Sequence, residues 1–163
     1  MRRFIKILPI CLCAVLLAAC SSREYRNDIS CRELCENAVE YVDDGLEYAE
    51  YGESQLKYEF GDAARGAEEH CILYSVKVDD INEVGVFLAE DEKSAKNIAE
   101  DCKEYIEDMR ENKRAFISSY APDQMPKLDK SEVWICGNYV IYTVLDPDKS
   151  ESVYEQIKTR LTK

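Results

Sequence analysis

The segment from Asp91 to Tyr120 constrains the fold more than any other, because it shows the clearest helical repeat of apolar residues in the chain. Its apolar residues recur three and four positions apart, which predicts one amphipathic α-helix. Acidic residues at 90–92 stand at its start, where the helix macrodipole favours negative charge, and Lys113 and Arg114 lie toward its end. A helix with one apolar face must bury that face against another layer of structure. The residues of the face are Ala95, Ile98, Ala99, Cys102, Tyr105, Ile106, Met109, Phe116, Ile117 and Tyr120.

Two pairs of β-rich segments flank this helix. His70–Val78 and Val84–Ala89 precede it, and the short connection between them predicts an antiparallel hairpin. Val133–Cys136 and Tyr139–Leu145 follow it, joined by the two residues Gly137-Asn138, which fit a tight primed turn. We therefore expect an antiparallel sheet of about four strands.

Shorter helical patterns lie on either side of these strands. Ser30 followed by Glu33 is a capping-box pattern, and Gly45 is the expected end of the helix that it begins. A short second helix is expected near Glu53–Glu59, ended by Gly61, with a loop over residues 62–69.

The end of the chain predicts one more helix. Asp146-Pro147 marks its start, and its apolar stripe is Val153, Ile157 and Leu161. Residues 121–130 contain two prolines and are expected to form a loop. The resulting order, α(α)ββαββα, predicts an α+β fold in which the long helix and the C-terminal helix pack the sheet.

The first twenty residues, MRRFIKILPICLCAVLLAAC, indicate export. Arg2, Arg3 and Lys6 form a basic start, and the apolar run over residues 7–17 is too short to span a bilayer but suits the core of a signal peptide. Arg2-Arg3 also resembles a twin-arginine signal, although its spacing to the following residues fits the general secretory route better.

Leu17-Ala18-Ala19-Cys20 resembles the bacterial lipobox, in which a leucine and two small residues precede a cysteine. The resemblance implies that the Cys20 sulfur accepts a diacylglyceryl group and that a signal peptidase, which requires small residues, cuts between Ala19 and Cys20. Further acyl chains, such as palmitate, would complete a membrane anchor. We therefore expect a signal peptide over residues 1–19, a lipidated Cys20 with a tether over 20–29, and a single α+β domain over 30–163.

Charge limits the partners of the processed chain. Removal of residues 1–19 would leave 18 basic and 33 acidic residues, a net charge of −15. A domain with this charge lacks the basic face that nucleic acid requires. Acidic faces suit basic peptides, cell-wall amines or divalent cations, but they also serve simply to keep a surface soluble.

The cysteines divide into two groups. Cys11, Cys13 and Cys20 lie in the leader and lipobox, which leaves an odd number in the domain: Cys31, Cys35, Cys71, Cys102 and Cys136. The last three lie among apolar residues, where a free cysteine packs as a small hydrophobe. We expect buried thiols, with one disulfide among Cys71, Cys102 and Cys136 as the alternative.

Few residues suggest catalysis or metal binding. Cys31 and Cys35 are four residues apart on a helix and could face His70-Cys71, but adjacent strand residues point to opposite faces, which argues against a zinc site. Residues 79–90 have the length of a calcium loop without its ligands. His70 is the sole imidazole, and no serine or cysteine lies in a recognised nucleophile motif. We therefore expect no catalytic residue, no metal ligand and no cofactor.

Eleven tyrosines are the most unusual feature of the composition. Four lie in the N-terminal helical region, and two lie with Trp134 on the last hairpin: Tyr41, Tyr48, Tyr51, Tyr58, Tyr139 and Tyr142. Such side chains suit contacts with glycans or proteins, or they fill the core and its margin. A tyrosine stripe left exposed would indicate a binding face.

The lipobox start, the long helix, the proline-bearing loop and the sequence GNYVIYTVLDPDKS before a last helix together resemble a family of small bacterial lipoproteins, classed only as domain-of-unknown-function family 4358. The resemblance covers Ile72 to Leu161, with Val84–Leu88 and Gly137-Asn138-Tyr139-Val140 as its most specific pieces. It implies the fold and an envelope location, but no activity and no residue roles. Two functions stay open: a lipid-anchored extracytoplasmic domain that binds an envelope protein or cell-wall ligand, or an envelope hydrolase or thiol redox protein.

Overall fold

The computed structural model describes residues 24–163, apart from the side chains of residues 62–64. The lipobox residues Leu17, Ala18, Ala19 and Cys20 lie outside this range. Within it, a five-stranded antiparallel sheet carries helices on both faces. The elements are α1 (Cys31–Val42), β1 (Tyr48–Glu50), α2 (Glu53–Gly66), β2 (Ala67–Ser75), β3 (Glu83–Ala89), α3 (Glu92–Tyr120), a 3₁₀ turn (Pro122–Gln124), α4 (Met125–Asp129), β4 (Glu132–Cys136), β5 (Tyr139–Val144) and α5 (Pro147–Leu161).

The strand order across the sheet is β1-β2-β3-β5-β4, and every neighbouring pair is antiparallel. Two hairpins, β2-β3 and β4-β5, meet through the central pair β3-β5. The second hairpin turns at Gly137, whose φ of 61° favours glycine. This order leaves β1 and β4 as the two edges of the sheet.

The sheet separates two apolar clusters. On one face, α1 and α5 cover the side chains that include Val84, Val86 and Leu88 of β3. On the other face, α2, α3 and α4 cover Phe87, Ala89 and their neighbours. Every residue of β3 is buried, because helices shield both of its faces.

The predicted helix starts are largely confirmed. The Ser30 hydroxyl accepts a hydrogen bond from the Glu33 N–H at 3.1 Å, and an Asp91 carboxylate oxygen accepts one from the Ser94 N–H at 2.7 Å. α5 begins at Pro147, as predicted. The first helix ends earlier than Gly45, because Asp43 adopts a left-handed conformation with φ of 47°.

The strand count and two predicted loops are wrong. β1 is a fifth strand, and its three residues are too few to show a sequence period. The expected loop over residues 62–69 is the end of α2 followed by the start of β2; Gly61, with φ of 40° and ψ of −101°, kinks the helix instead of ending it. The expected loop over residues 121–130 is a 3₁₀ turn and α4, since Pro122 and Pro126 stand in first turns, where proline is tolerated.

Candidate binding site

The first described residues are fixed to the body of the domain. Tyr25 forms an antiparallel bridge with Thr162, and the Arg26 N–H donates to the Leu161 carbonyl at 2.8 Å. The Lys163 N–H donates to the Glu24 carbonyl at 3.0 Å. Residues 24–29 of the expected tether are therefore docked along the C-terminal end of the chain.

Two contacts hold this docked segment at one end of the sheet. The Tyr139 hydroxyl donates to the Ile29 carbonyl at 2.6 Å, and burial raises the pKa of Tyr139 to about 12, which keeps the hydroxyl a donor. At Gly137, a Cβ atom would lie 2.8 Å from the Tyr25 Cβ. The Gly137-Asn138 turn thus needs glycine both for its backbone and for the approach of the N-terminal segment.

A groove of about 390 Å³ lies between the edge strand β4 and α5. Its aromatic wall is a parallel stack of Trp134 on Tyr154, with ring centroids 4.6 Å apart and an angle of 9° between the planes. Both rings are half-buried, so each keeps an exposed part. The charged lining is one lysine and four carboxylates: Lys130, Glu132, Asp148, Glu151 and Glu155.

A second groove, of about 410 Å³, lies on the opposite face of β4 against α3. Val133 and Ile106 form its apolar floor, and two basic and two acidic residues balance at its rim: Lys103, Arg110, Glu104 and Glu107. The Arg110 guanidinium donates to the carbonyls of Leu128 and Ser131, both at 3.0 Å. Arg110 thereby ties α4 and the start of β4 to α3.

Glu83 is the most unusual titratable group, and it is sealed within the core at 5% exposure. Three tyrosine hydroxyls donate to its carboxylate: Tyr142 at 2.5 Å, Tyr51 at 2.8 Å and Tyr105 at 3.0 Å. Burial raises the pKa of Glu83, although these three hydrogen bonds favour its charged form. The carboxylate is thus enclosed by the three tyrosine side chains, and the cluster forms part of the core under α3.

Gly85 makes the cluster possible. A Cβ atom there would lie 2.0 Å from Cε1 of Tyr142. The Tyr142 ring therefore rests directly on the backbone of β3, which brings its hydroxyl to Glu83.

The five thiols of the described residues are buried and unpaired, which confirms the expected burial of Cys71, Cys102 and Cys136. Cys35 donates through its Sγ to the Cys71 carbonyl at 3.2 Å, and Cys31 donates to the Glu69 carbonyl at 3.5 Å. Burial raises the pKa of Cys31, Cys35, Cys102 and Cys136, which favours the less nucleophilic thiol form.

Adjacent residues of β2 point to opposite faces of the sheet, which separates the candidate reactive residues His70 and Cys71. Cys71 lies in the cluster under α1, whereas His70 lies on the other face of β2 with its ring 6.2 Å from that of Phe87. Within the described part of the chain, no three His, Cys, Asp or Glu side chains come together as metal ligands, and no helix is long and apolar enough to cross a bilayer.

The tyrosines do not form one exposed stripe. Tyr58 and Tyr120 are 85% and 74% exposed, whereas Tyr142 and Tyr139 are fully buried.

Two buried polar features were not predicted from the sequence. The first is Glu83, which precedes the predicted strand and resembles a turn residue, and the second is the Lys127–Asp80 ion pair at 2.9 Å. The acidic residue directly before the apolar run VGVFLA was the one available signal for Glu83.

The structure defines an α+β domain with two grooves beside its edge strand β4. The sequence model of the family described as "Domain of unknown function (DUF4358)" matches residues 40–145, from the end of α1 through β5, and the chain belongs to that family. The match begins earlier than the expected Ile72 and ends before α5. No curated protein and no solved structure matches the chain.

Proposed function

We propose that this protein is a lipid-anchored binding domain on the outer face of the cell membrane. The proposal rests on one arrangement: a lipobox pattern that ends at Cys20, four residues before the docked Glu24. Four residues span at most about 14 Å. A lipid on Cys20 would therefore hold the domain close to the bilayer, with the Gly137-Asn138 end of the sheet nearest to it.

Binding is favoured over hydrolysis or redox chemistry because the reactive groups are buried, whereas the grooves are exposed to solvent. The buried thiols and the sealed Glu83 offer no accessible nucleophile or base, whereas the two grooves beside β4 open to solvent. An aromatic stack surrounded by carboxylates is a surface suited to recognition. The partner expected for such a domain is another envelope protein or a cell-wall component.

Lipidation is tested by metabolic labelling with alkyne-palmitate in a bacterial host. The wild-type chain should be labelled and recovered in the membrane fraction, whereas Cys20→Ser should lose the label and accumulate as a precursor that retains residues 1–19. Cys13→Ser is the matched control, because it removes a thiol from the same leader outside the lipobox, and it should be labelled and processed normally. Normal labelling of Cys20→Ser would refute the anchor.

Location is tested separately by treating intact protoplasts with a protease. A domain on the outer face should be digested without lysis, and digestion only after lysis would refute the outer location. Crosslinking in intact cells, followed by identification of the captured molecules, then tests whether the domain has an envelope partner.

A further inference from the structure

We propose that the free edge of β4 binds an extended basic peptide by taking it up as a sixth strand of the sheet, an inference that rests on the binding function proposed above. Among the described residues, β5 is the one strand that pairs with β4. An unpaired strand edge offers N–H donors and C=O acceptors to an added strand.

The register identifies the backbone groups that face outward. Cys136 and Tyr139 flank the two-residue turn and form a hydrogen-bonded pair, and such pairs alternate along an antiparallel ladder. Trp134 therefore bonds to β5, whereas Val133 and Ile135 direct their N–H and C=O groups away from it. The next outward carbonyl, that of Ser131, already accepts from Arg110 at 3.0 Å, which sets the end of the available edge.

β4 lacks the features that usually protect an edge strand. Its sequence is EVWIC, with one charge at its first residue, no proline and an Ile135 that is 41% exposed. The opposite edge, β1, has only three residues. The open part of the edge, from Val133 to Ile135, is apolar, which is the feature an added strand requires.

The two grooves indicate which side chains the added strand carries. Side chains of a strand alternate between the faces of the sheet, so every second one would enter the α5 groove and the others the α3 groove. The α5 groove, with Trp134 and four carboxylates against Lys130, fits lysine or arginine. The α3 groove, with Val133 and Ile106 between balanced charges, fits an apolar side chain.

The overall charge favours the same partner. The chain without residues 1–19 would carry a net charge of −15, which would attract basic peptides and repel acidic ones. The occupant is therefore an extended segment in which basic and apolar residues alternate.

The experiment uses the detergent-solubilised full chain and a short synthetic peptide in which lysine alternates with valine. Trp134 is the only tryptophan of the sequence, so its fluorescence reports directly on the α5 groove. We expect a saturable change with the lysine peptide and none with a matched glutamate–valine peptide. Amide hydrogen exchange of Val133 and Ile135 should slow in the complex.

Two matched comparisons separate strand addition from general attraction between charges. Methylation of alternate peptide amides keeps the charge but removes the backbone donors, and it should weaken binding about tenfold or more. Glu151→Lys should weaken binding to a similar degree, whereas Glu111→Lys, an equal change of charge on exposed α3 surface, should have little effect.

Equal binding of the methylated peptide, or equal loss in the two lysine variants, would overturn the proposal. A complete lack of binding would do so too, as would a dimer formed through β4 of a second copy. The assay needs no lipid on Cys20, so its failure is distinguishable from failure of the labelling test, which does not depend on β4.

Discussion

The two faces of the sheet bury their side chains by different means. Under α1 and α5, the cluster consists mainly of aliphatic residues and thiols, among them Cys31, Cys35 and Cys71, and it includes the buried Tyr139. Under α3, aliphatic residues surround a group of aromatic rings that includes Phe60 and Phe87, and three tyrosine hydroxyls of this face converge on the carboxylate of Glu83. The first face depends mainly on buried apolar area, whereas the second also depends on the three hydrogen bonds that the Glu83 carboxylate accepts.

This difference predicts unequal tolerance to substitution. A small apolar side chain can be exchanged with a modest loss of free energy, because its neighbours relax. A buried carboxylate that accepts from three hydroxyls cannot be moved without leaving donors unsatisfied. The α3 face should therefore fail first when its geometry is changed.

Gly85→Val should cause the largest decrease in the free energy of unfolding, because it displaces the Tyr142 ring that packs on Gly85. The added side chain would overlap the Tyr142 ring, whose Cε1 lies 2.0 Å from the position of a Cβ atom, and would pull its hydroxyl from Glu83. We expect a loss of at least about 4 kcal/mol in the free energy of unfolding. Urea denaturation followed by circular dichroism measures it.

Gly66→Ala is the matched control for this experiment. A Cβ atom at Gly66 meets nothing within 4 Å, and the residue is exposed at the end of α2. Gly66→Ala should change the free energy of unfolding by no more than about 0.5 kcal/mol. If Gly85→Ala behaves like Gly66→Ala, the close approach of Tyr142 to β3 is wrong.

The second prediction concerns the pH dependence of stability. Burial raises the pKa of Glu83, so between its unfolded and folded pKa values the folded state binds more protons than the unfolded state. The contribution of Glu83 to the free energy of unfolding is fully present below the pKa that the group has in the unfolded state. It is lost as the pH rises through the pKa of the folded state, and the free energy of unfolding then falls by at most about 1.4 kcal/mol per pH unit. Glu83→Gln should remove this slope.

Urea midpoints from about pH 4 to pH 8 test the sign, since the difference between wild type and Glu83→Gln should change over this window. Glu111→Gln removes an exposed carboxyl of α3 and should leave the wild-type profile unchanged. Parallel profiles for Glu83→Gln and the wild type would show that the carboxyl titrates equally in the folded and unfolded states.

The parts of this fold that the sequence predicted are those fixed by local signals. α3 follows from a long period and from Asp91, whose side chain caps it. β1 could not be predicted, because three residues show no period and its pairing with β2 is a tertiary contact. Pro122 and Pro126 resemble loop residues in the sequence, but in the structure each lies in the first turn of a helical element, the 3₁₀ turn and α4 respectively.

The sites divide in the same way. The lipobox is a linear pattern, so it is recognised without a structure. The groove beside β4 requires the strand order that makes β4 an edge, and its stacked rings, Trp134 and Tyr154, are separated by a strand and the start of a helix. The cluster around Glu83 could be recognised only from the tertiary structure, because its tyrosines come from β5, α3 and the segment after β1.

The smallest effect is expected on the thiol face, at Cys71. Its side chain is fully buried in the aliphatic cluster, so Cys71→Ala removes one sulfur atom from an apolar site and should cost about 1 kcal/mol, measured as a shift of the urea midpoint at constant slope. Cys71→Ser should cost more than Cys71→Ala, because a hydroxyl loses its hydration there. If serine is tolerated better than alanine, the side chain at position 71 has a polar partner in the cluster, and the proposed contrast between this apolar site and that of Glu83 fails.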